Sequence, residues 1–598
     1  MMKHRAPPAR AHRLALPVTL AASVALTACG GAEAPPAPPP ASPIPAYAGS
    51  PDPAPPKPSA SAKPAAEPSP FAALRDRILD QWIEDDPSFG RGLGLHASDG
   101  KIADYSAKAI AARLTRAGQQ RSELAAVDRA SLSPDEALDL ALMLRETDVL
   151  LFHQQDLAEW QRKPQFYAEL FSVNDYLDRD YAPIEERAER LLAHEKAALA
   201  QVAHVRENLV SPLSRPIVET AIRIYKGFAE YLRGDVVRLL RGVGSPSLQE
   251  EIAKTNERLA AEAQALAEHL KSAELPKADE SHILGVERFR KLLLVEEGLT
   301  TPLGELKKIG EENLAENKRA YEALAPKVKV TRPKPQALLD EGTRLLEAAR
   351  KYIVDKNLAT IPADERAVVK ETPPFMRWNM AFINAPGPFE PKATTAFYYV
   401  TRPDPSWTKK EQDDYLMSFG TLLATTVHEV YPGHFLQHLW ADRAPTRAQK
   451  MFGAYSFLEG WAHYGEQMMI EEGFGAEDPQ NRLGQLSDAL LRNCRVIVSF
   501  GVHTEKMSMA EAARRFVADC HQDKATAREQ AARAAFDPWY FDYTLGKLQI
   551  LALRDEAKRL LGPKFSLQRF HDALLAHGSP PVALIRERVL HDITEAAK

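Results

Sequence analysis

Cysteine is scarce in this 598-residue chain, which has three: Cys29, Cys494 and Cys520. A disulfide framework therefore cannot be what holds so long a chain together, and a hydrophobic core must. A Gly-x-Ser-x-Gly elbow and a Gly-x-x-x-x-Gly-Lys loop are both missing, which counts against a serine hydrolase and a phosphate loop. There is no long basic stripe and the net charge is only −5, so nucleic acid is not an expected partner. No repeat of fixed period is found. The apolar run at 14–25 is too short to span a bilayer as a mature helix.

That run is flanked by features that give it another meaning. Lys3, Arg5, Arg10 and Arg13 precede it, and Leu26-Thr27-Ala28-Cys29-Gly30 follows. A basic start, a short apolar stretch and small residues before a cut make residues 1–28 a secretory signal. Leu-Thr-Ala-Cys resembles the bacterial lipobox, which implies cleavage before Cys29 and a lipid on its sulfur; an ordinary signal with an incidental cysteine is the alternative. Gly30 is not Asp, so retention at the inner membrane is not signalled. The expected location is the cell envelope, at the outer membrane facing the periplasm or at the cell surface. Residues 29–70 are Pro, Ala and Ser with few large apolar side chains. They cannot bury enough surface to offset ordering, and read as a disordered tether between a lipid anchor and the folded part.

Residues 71–598 read as one helical catalytic domain. Helical spacing covers 71–84, then 104–127, 183–208, 216–241, 246–271, 283–296, 302–324 and 335–355. Ser133-Pro134-Asp135-Glu136 opens a further helix, with Ser as cap and Pro at its first position. The texture turns irregular and Pro-rich between 362 and 407, where 396–401 has strand propensity. A small sheet just ahead of the functional motifs is expected, and an edge strand there could hold a peptide by strand addition. From Ser418 the chain is helical again, and Asp537-Pro538 is expected to start a helix at Trp539. Cys494 and Cys520 fall on neighbouring predicted helices. A disulfide and two buried thiols are equally open for them.

The informative residues lie within 418–475. His428-Glu429-Val430-Tyr431-Pro432-Gly433-His434 is followed by Glu459-Gly460-Trp461-Ala462-His463-Tyr464-Gly465-Glu466. Zinc hydrolysis needs three protein ligands, an open position for water, and a carboxylate to take the water's proton. Two histidines four apart on a helix lie about 40° apart and can share a metal, but these are six apart, a net rotation of about 240°. Pro432 lacks an N–H and clashes with the carbonyl of His428, and Gly433 permits backbone angles closed to other residues. The helix is therefore expected to break there and return His434 to His428. The expected site is one zinc ion on His428, His434 and Glu459, with Glu429 as general base. Glu459, His463 and Glu466 share one helix face. His463 is expected to orient a ligand, or to be the third ligand itself, and Glu466 to stand beside it.

These paired motifs resemble the bacterial domain-of-unknown-function 885 family, predicted zinc metallopeptidases of the gluzincin group. The resemblance covers the chain from about residue 70 to the end, and includes Asn384-Ala385-Pro386-Gly387-Pro388-Phe389-Glu390 and the region from Arg495 to Arg554. It implies a mainly α, large multi-helix fold similar to oligopeptidases, with a deep channel and a small β-sheet next to the active site. The family stretch around Arg495–His503 usually has Asp where this chain has Ser499, which alters how His503 is held. His503 could donate to an oxyanion, or be a buried helix histidine. Tyr543 matches a family Tyr-x-x-Gly and is preferred over Tyr540 as a phenol aimed at the oxyanion.

The expected reaction is hydrolysis of short peptides by zinc-activated water. A zinc amidase or carboxypeptidase-like enzyme on cell-wall peptides shares the same site. Arg377, Arg402 and Arg495 are candidates for a substrate carboxylate, and surface salt bridges account for them equally well. A lipid-anchored binding protein with a structural metal is the non-enzymatic alternative.

Overall fold

The protein is described by a computed structural model of residues 69–372, 376, 380–391, 395–404 and 407–598. The signal, Cys29 and all of the tether except Ser69 and Pro70 lie outside these residues, as does Arg377. The architecture is mainly helical with one small sheet. None of the described helices is long and apolar enough to cross a membrane.

Most helices start where local chemistry dictates. Ser69 accepts from the N–H of Ala72 to open α1 (Pro70–Asp85). α2 spans Ala107–Ala125. Ser133 and Glu136 form a reciprocal capping box at the start of α3 (Pro134–Leu151), with Pro134 at its first position. α4 (Ile184–Asn208), α5 (Arg215–Tyr231) and α6 (Pro246–His269) pack on one another around a core of their own. α7 (Gly285–Glu297), α8 (Leu303–Leu324) and α9 (Leu338–Asp355) complete the first half.

Three short strands follow: β1 (Ala367–Glu371), β2 (Ala381–Asn384) and β3 (Ala396–Val400). Their order is β1-β3-β2, with β3 parallel to β1 and antiparallel to β2. The strand expected at 396–401 is thus present, but it is the centre of the sheet. Both of its edges are paired, so it cannot take a peptide by strand addition.

The second half holds α10 (Phe419–Glu429), α11 (His434–Ala441), α12 (Tyr455–Glu471), α13 (Pro479–Glu505), α14 (Met509–Cys520), α15 (Lys524–Phe536), α16 (Asp542–Leu561), α17 (Leu567–Leu575) and α18 (Val582–Glu595). The helix expected from Trp539 starts only at Asp542. Asp537 is engaged by Arg533 at 2.7 Å instead of capping, and the carbonyl of Pro538 accepts from Ser499. Cys494 on α13 and Cys520 on α14 form a disulfide. The largest core joins α1, α3, α9, the sheet, α10–α12 and α16–α18, so the predicted metal motifs lie in its interior.

Candidate metal centre

α10 runs from its Ser418 cap to Glu429 and stops one residue after His428. The chain turns through Val430–Gly433, where the Tyr431–Pro432 peptide is cis, and α11 begins at His434. This is the expected break. Gly433 takes φ −63° and ψ −137°, outside the helical and extended regions, and space is closed to a side chain as well: a Cβ would stand 1.7 Å from the carbonyl oxygen of His428. The Gly433 N–H instead donates to the carbonyl of Val427 at 3.0 Å. The turn brings the His428 and His434 rings to 4.8 Å between centroids, nearly perpendicular at 86°.

α12 crosses this turn and supplies Glu459. Its Oε2 lies 3.3 Å from His428 Nε2 and 3.4 Å from His434 Nε2. All three residues are about 1% exposed, and their facing atoms carry no well-formed hydrogen bond. Ligand atoms about 2.0–2.1 Å from a tetrahedral zinc stand roughly 3.3–3.4 Å apart, which both separations from Glu459 match, and all three ligand atoms lie within 4.8 Å of one another. Among the described residues, His428, His434 and Glu459 are the group of histidines and carboxylates that could hold a metal. Burial opposes charge on Glu459, but the histidines hold its carboxyl well below the usual range.

A second layer holds the first. His428 Nδ1 lies 2.7 Å from Glu466 Oε1, which orients the imidazole and leaves Nε2 facing Glu459. Glu466 is in turn 3.1 Å from Arg492 Nη2, and Arg492 Nη1 is 3.7 Å from Asp488. His463 is not in the cluster. Its Nδ1 is 3.3 Å from Glu466 Oε2, so it touches the residue that orients His428 and no ligand. Burial, then the nearby Lys547, keeps the His463 ring neutral.

Glu429 is fully buried, and its Oε2 accepts from the N–H of Ile383 on β2 at 3.0 Å. Oε1 has no hydrogen-bond partner among the described residues. Burial pushes the carboxyl pKa up, against the pull of His428 and His434. The sheet thus fixes the carboxylate next to the cluster, and Tyr398 on β3 meets Thr426 of α10 at 3.2 Å.

Tyr543 enters from the first turn of α16. That helix approaches α12 closely through Gly460 and Gly546; a Cβ on Gly546 would lie 1.8 Å from the carbonyl oxygen of Ser456. The Tyr543 ring is 6.5 Å from the His428 ring, and its Oη accepts from Tyr455 Oη at 3.2 Å. Arg533 donates to Tyr455 Oη at 2.8 Å. Tyr540 points elsewhere, its hydroxyl facing the carbonyl of Gln530 at 3.4 Å.

His503 is not brought to the cluster. It lies eleven residues beyond Arg492 on α13, about 16 Å along the axis at 1.5 Å per residue. Its Nε2 meets the carbonyl of Ala534 at 2.8 Å and its ring stacks on Phe289. Ser499 serves Pro538 and does not hold His503. Arg402 pairs with Glu371 at 2.8 Å near the surface, whereas Arg495 is fully buried beside Tyr543.

Tyr455, Ile383, Arg492 and Asp488 were not anticipated. Tyr455 precedes Glu459 by one helical turn, and Arg492 follows Asp488 by one, which are the signals that could have found them. Ile383 acts through its backbone and leaves no mark in the sequence.

A helical protein with a buried His-His-Glu cluster under a small sheet is the class these observations define. The chain belongs to the bacterial proteins of unknown function grouped as DUF885, whose family model matches residues 87–589. Two solved structures share the fold. A candidate lipoprotein of unknown function from Shewanella oneidensis is 23% identical at a TM-score of 0.71, covering 88% of this chain and 100% of its own. A candidate lipoprotein from Colwellia psychrerythraea is 16% identical at 0.72, covering 88% and 99%. An M32 carboxypeptidase from Deinococcus radiodurans aligns at a TM-score of only 0.39 with 11% identity, covering 88% and 95%, too slight a likeness to carry a mechanism across. No curated protein matches the sequence.

Proposed function

We propose that this protein is a zinc-dependent peptidase acting on short peptides. The observation that carries the reading is the convergence of His428 Nε2, His434 Nε2 and Glu459 Oε2 next to a carboxylate, Glu429, that has one oxygen unshared. His428, His434 and Glu459 would hold one zinc ion, whose N and O ligand preference they match. Bound there, the ion supplies Lewis-acid polarisation of a water and of the substrate carbonyl.

The chain's own residues do the rest. Glu429 Oε1 takes the proton of the water and returns it to the leaving amine, while Ile383 keeps Oε2 in place. A pKa raised by burial suits a group that must both accept and release a proton. Tyr543 faces the oxygen that gains charge, steadied by Tyr455 and Arg533. His503, held by Ala534, has no part in this scheme. A purely structural ion would leave Glu429 without a task.

Lipid attachment at Cys29 and a spacer over 29–70 would hold the catalytic domain, 71–598, in the cell envelope. The lipobox-like sequence and the candidate lipoproteins of the same fold support this placement.

The test is hydrolysis of a mixed peptide pool read by mass spectrometry. Activity should be lost on chelation and return with zinc. Glu429→Gln should keep its metal and fall by about 10²–10⁴-fold. Hydrolysis that survives chelation, or a fully active Glu429→Gln protein, would sink the reading.

A further inference from the structure

Three arginines converge behind Tyr543, and two are engaged. Arg492 pairs with Glu466 and Asp488, and Arg533 with Asp537 and Tyr455. Arg495 is different. It is fully buried, its Nε donates to Gln530 Oε1 at 3.0 Å, and both Nη1 and Nη2 have no hydrogen-bond partner. Among the described residues no carboxylate pairs with it. Aromatic faces surround it instead, with Tyr543 at 4.5 Å and Tyr540 at 5.8 Å from its Cζ. Burying an unpaired guanidinium costs more than such ring contacts return. A planar fork with two unshared nitrogens matches a carboxylate, which it can bind through two parallel hydrogen bonds.

Position says which carboxylate. The Tyr543 ring neighbours both groups, 6.5 Å from the His428 ring and 4.5 Å from the Arg495 Cζ, which puts the guanidinium within about 11 Å of the His428 ring. One residue of extended chain spans about 3.3–3.6 Å. The fork therefore stands no more than about three residues from the carbonyl that the metal cluster would receive.

We propose that Arg495 binds the C-terminal α-carboxylate of a peptide, so that the protein removes one to about three residues from C-terminal ends. This rests on the peptidase reading and narrows its substrate class. Bond cleavage follows the same balance: water adds across the C–N bond, the new carboxylate stays on the shortened peptide, and the released amine takes the proton.

The test pairs each peptide with its C-terminal amide. Binding is measured by calorimetry on zinc-loaded Glu429→Gln protein, and products by mass spectrometry on the wild type. The free acid should bind about 100-fold tighter than the amide, or about 2.8 kcal/mol at 1.4 kcal/mol per tenfold. Arg495→Met should shrink that ratio to about threefold, and Arg495→Lys should keep part of it. If the arginine variants fail to fold, the acid-to-amide ratio of the otherwise unaltered protein still decides. Equal binding of acid and amide overturns the proposal, as does an acid-to-amide ratio that Arg495→Met leaves unchanged. Equal cleavage of both leaves a peptidase without this anchor. Acid preference without any cleavage keeps the anchor and removes the peptidase reading.

Discussion

Glu466 governs His428 from a different helix. Its 2.7 Å contact with Nδ1 selects the tautomer that leaves Nε2 for the cluster, and Arg492 holds the carboxylate from behind. Glu466→Gln should therefore weaken zinc binding by about 10–100-fold in a competition titration with a chelating dye, with the fold intact. An unchanged affinity would mean that His428 needs no such partner. The cluster residues could be read from the sequence because each sits in a short run whose types and spacing carry the chemistry. Glu466 was noticed only as a neighbour of His463, since its real partner is 38 positions away. Arg495 was weighed equally with Arg377 and Arg402, because only burial separates a charge without a carboxylate from a surface salt bridge.

At the level of elements, the decisive feature is the turn between α10 and α11. A straight helix cannot carry both histidines to one point, and Pro432 made the break legible in advance. The backbone freedom of Gly433 was legible too, but the steric need for it was not, since that depends on how closely the turn folds back on His428. Gly433→Ala should destabilise the protein by about 3 kcal/mol or more and abolish zinc binding, because the new Cβ meets the His428 carbonyl at 1.7 Å. Gly304→Ala is the contrast. Nothing lies within 4 Å of a Cβ there, and it should leave the thermal midpoint unchanged or slightly higher. Similar losses from the two would remove the steric account of the turn. The late start of α16 shows the limit of capping signals: Asp537-Pro538 reads as a helix start, but Arg533 and Ser499 claim its groups.

Across the whole molecule, α13 is the spine. It packs against α7, α8, α10, α12, α14, α15 and α16, and carries Asp488, Arg492 and Arg495 on the side of the site. Its disulfide to α14 lies between the two arginines in sequence. Helical periodicity made the class of fold and most helix bounds readable. Which helices pack around α13 was not, because a helix buried on nearly all sides shows no polar face to orient it. The place of the sheet along the chain was legible and its strand order was not, since strand propensity says nothing of which strand is central. The central claim is that His428, His434 and Glu459 hold one zinc ion, and metal analysis of the purified protein by mass spectrometry tests it most directly. The account predicts one zinc per wild-type chain, none above background in His434→Ala or Glu459→Ala, and retained zinc in His463→Ala. A wild-type chain without zinc, or a Glu459→Ala chain that keeps it in full, would contradict it.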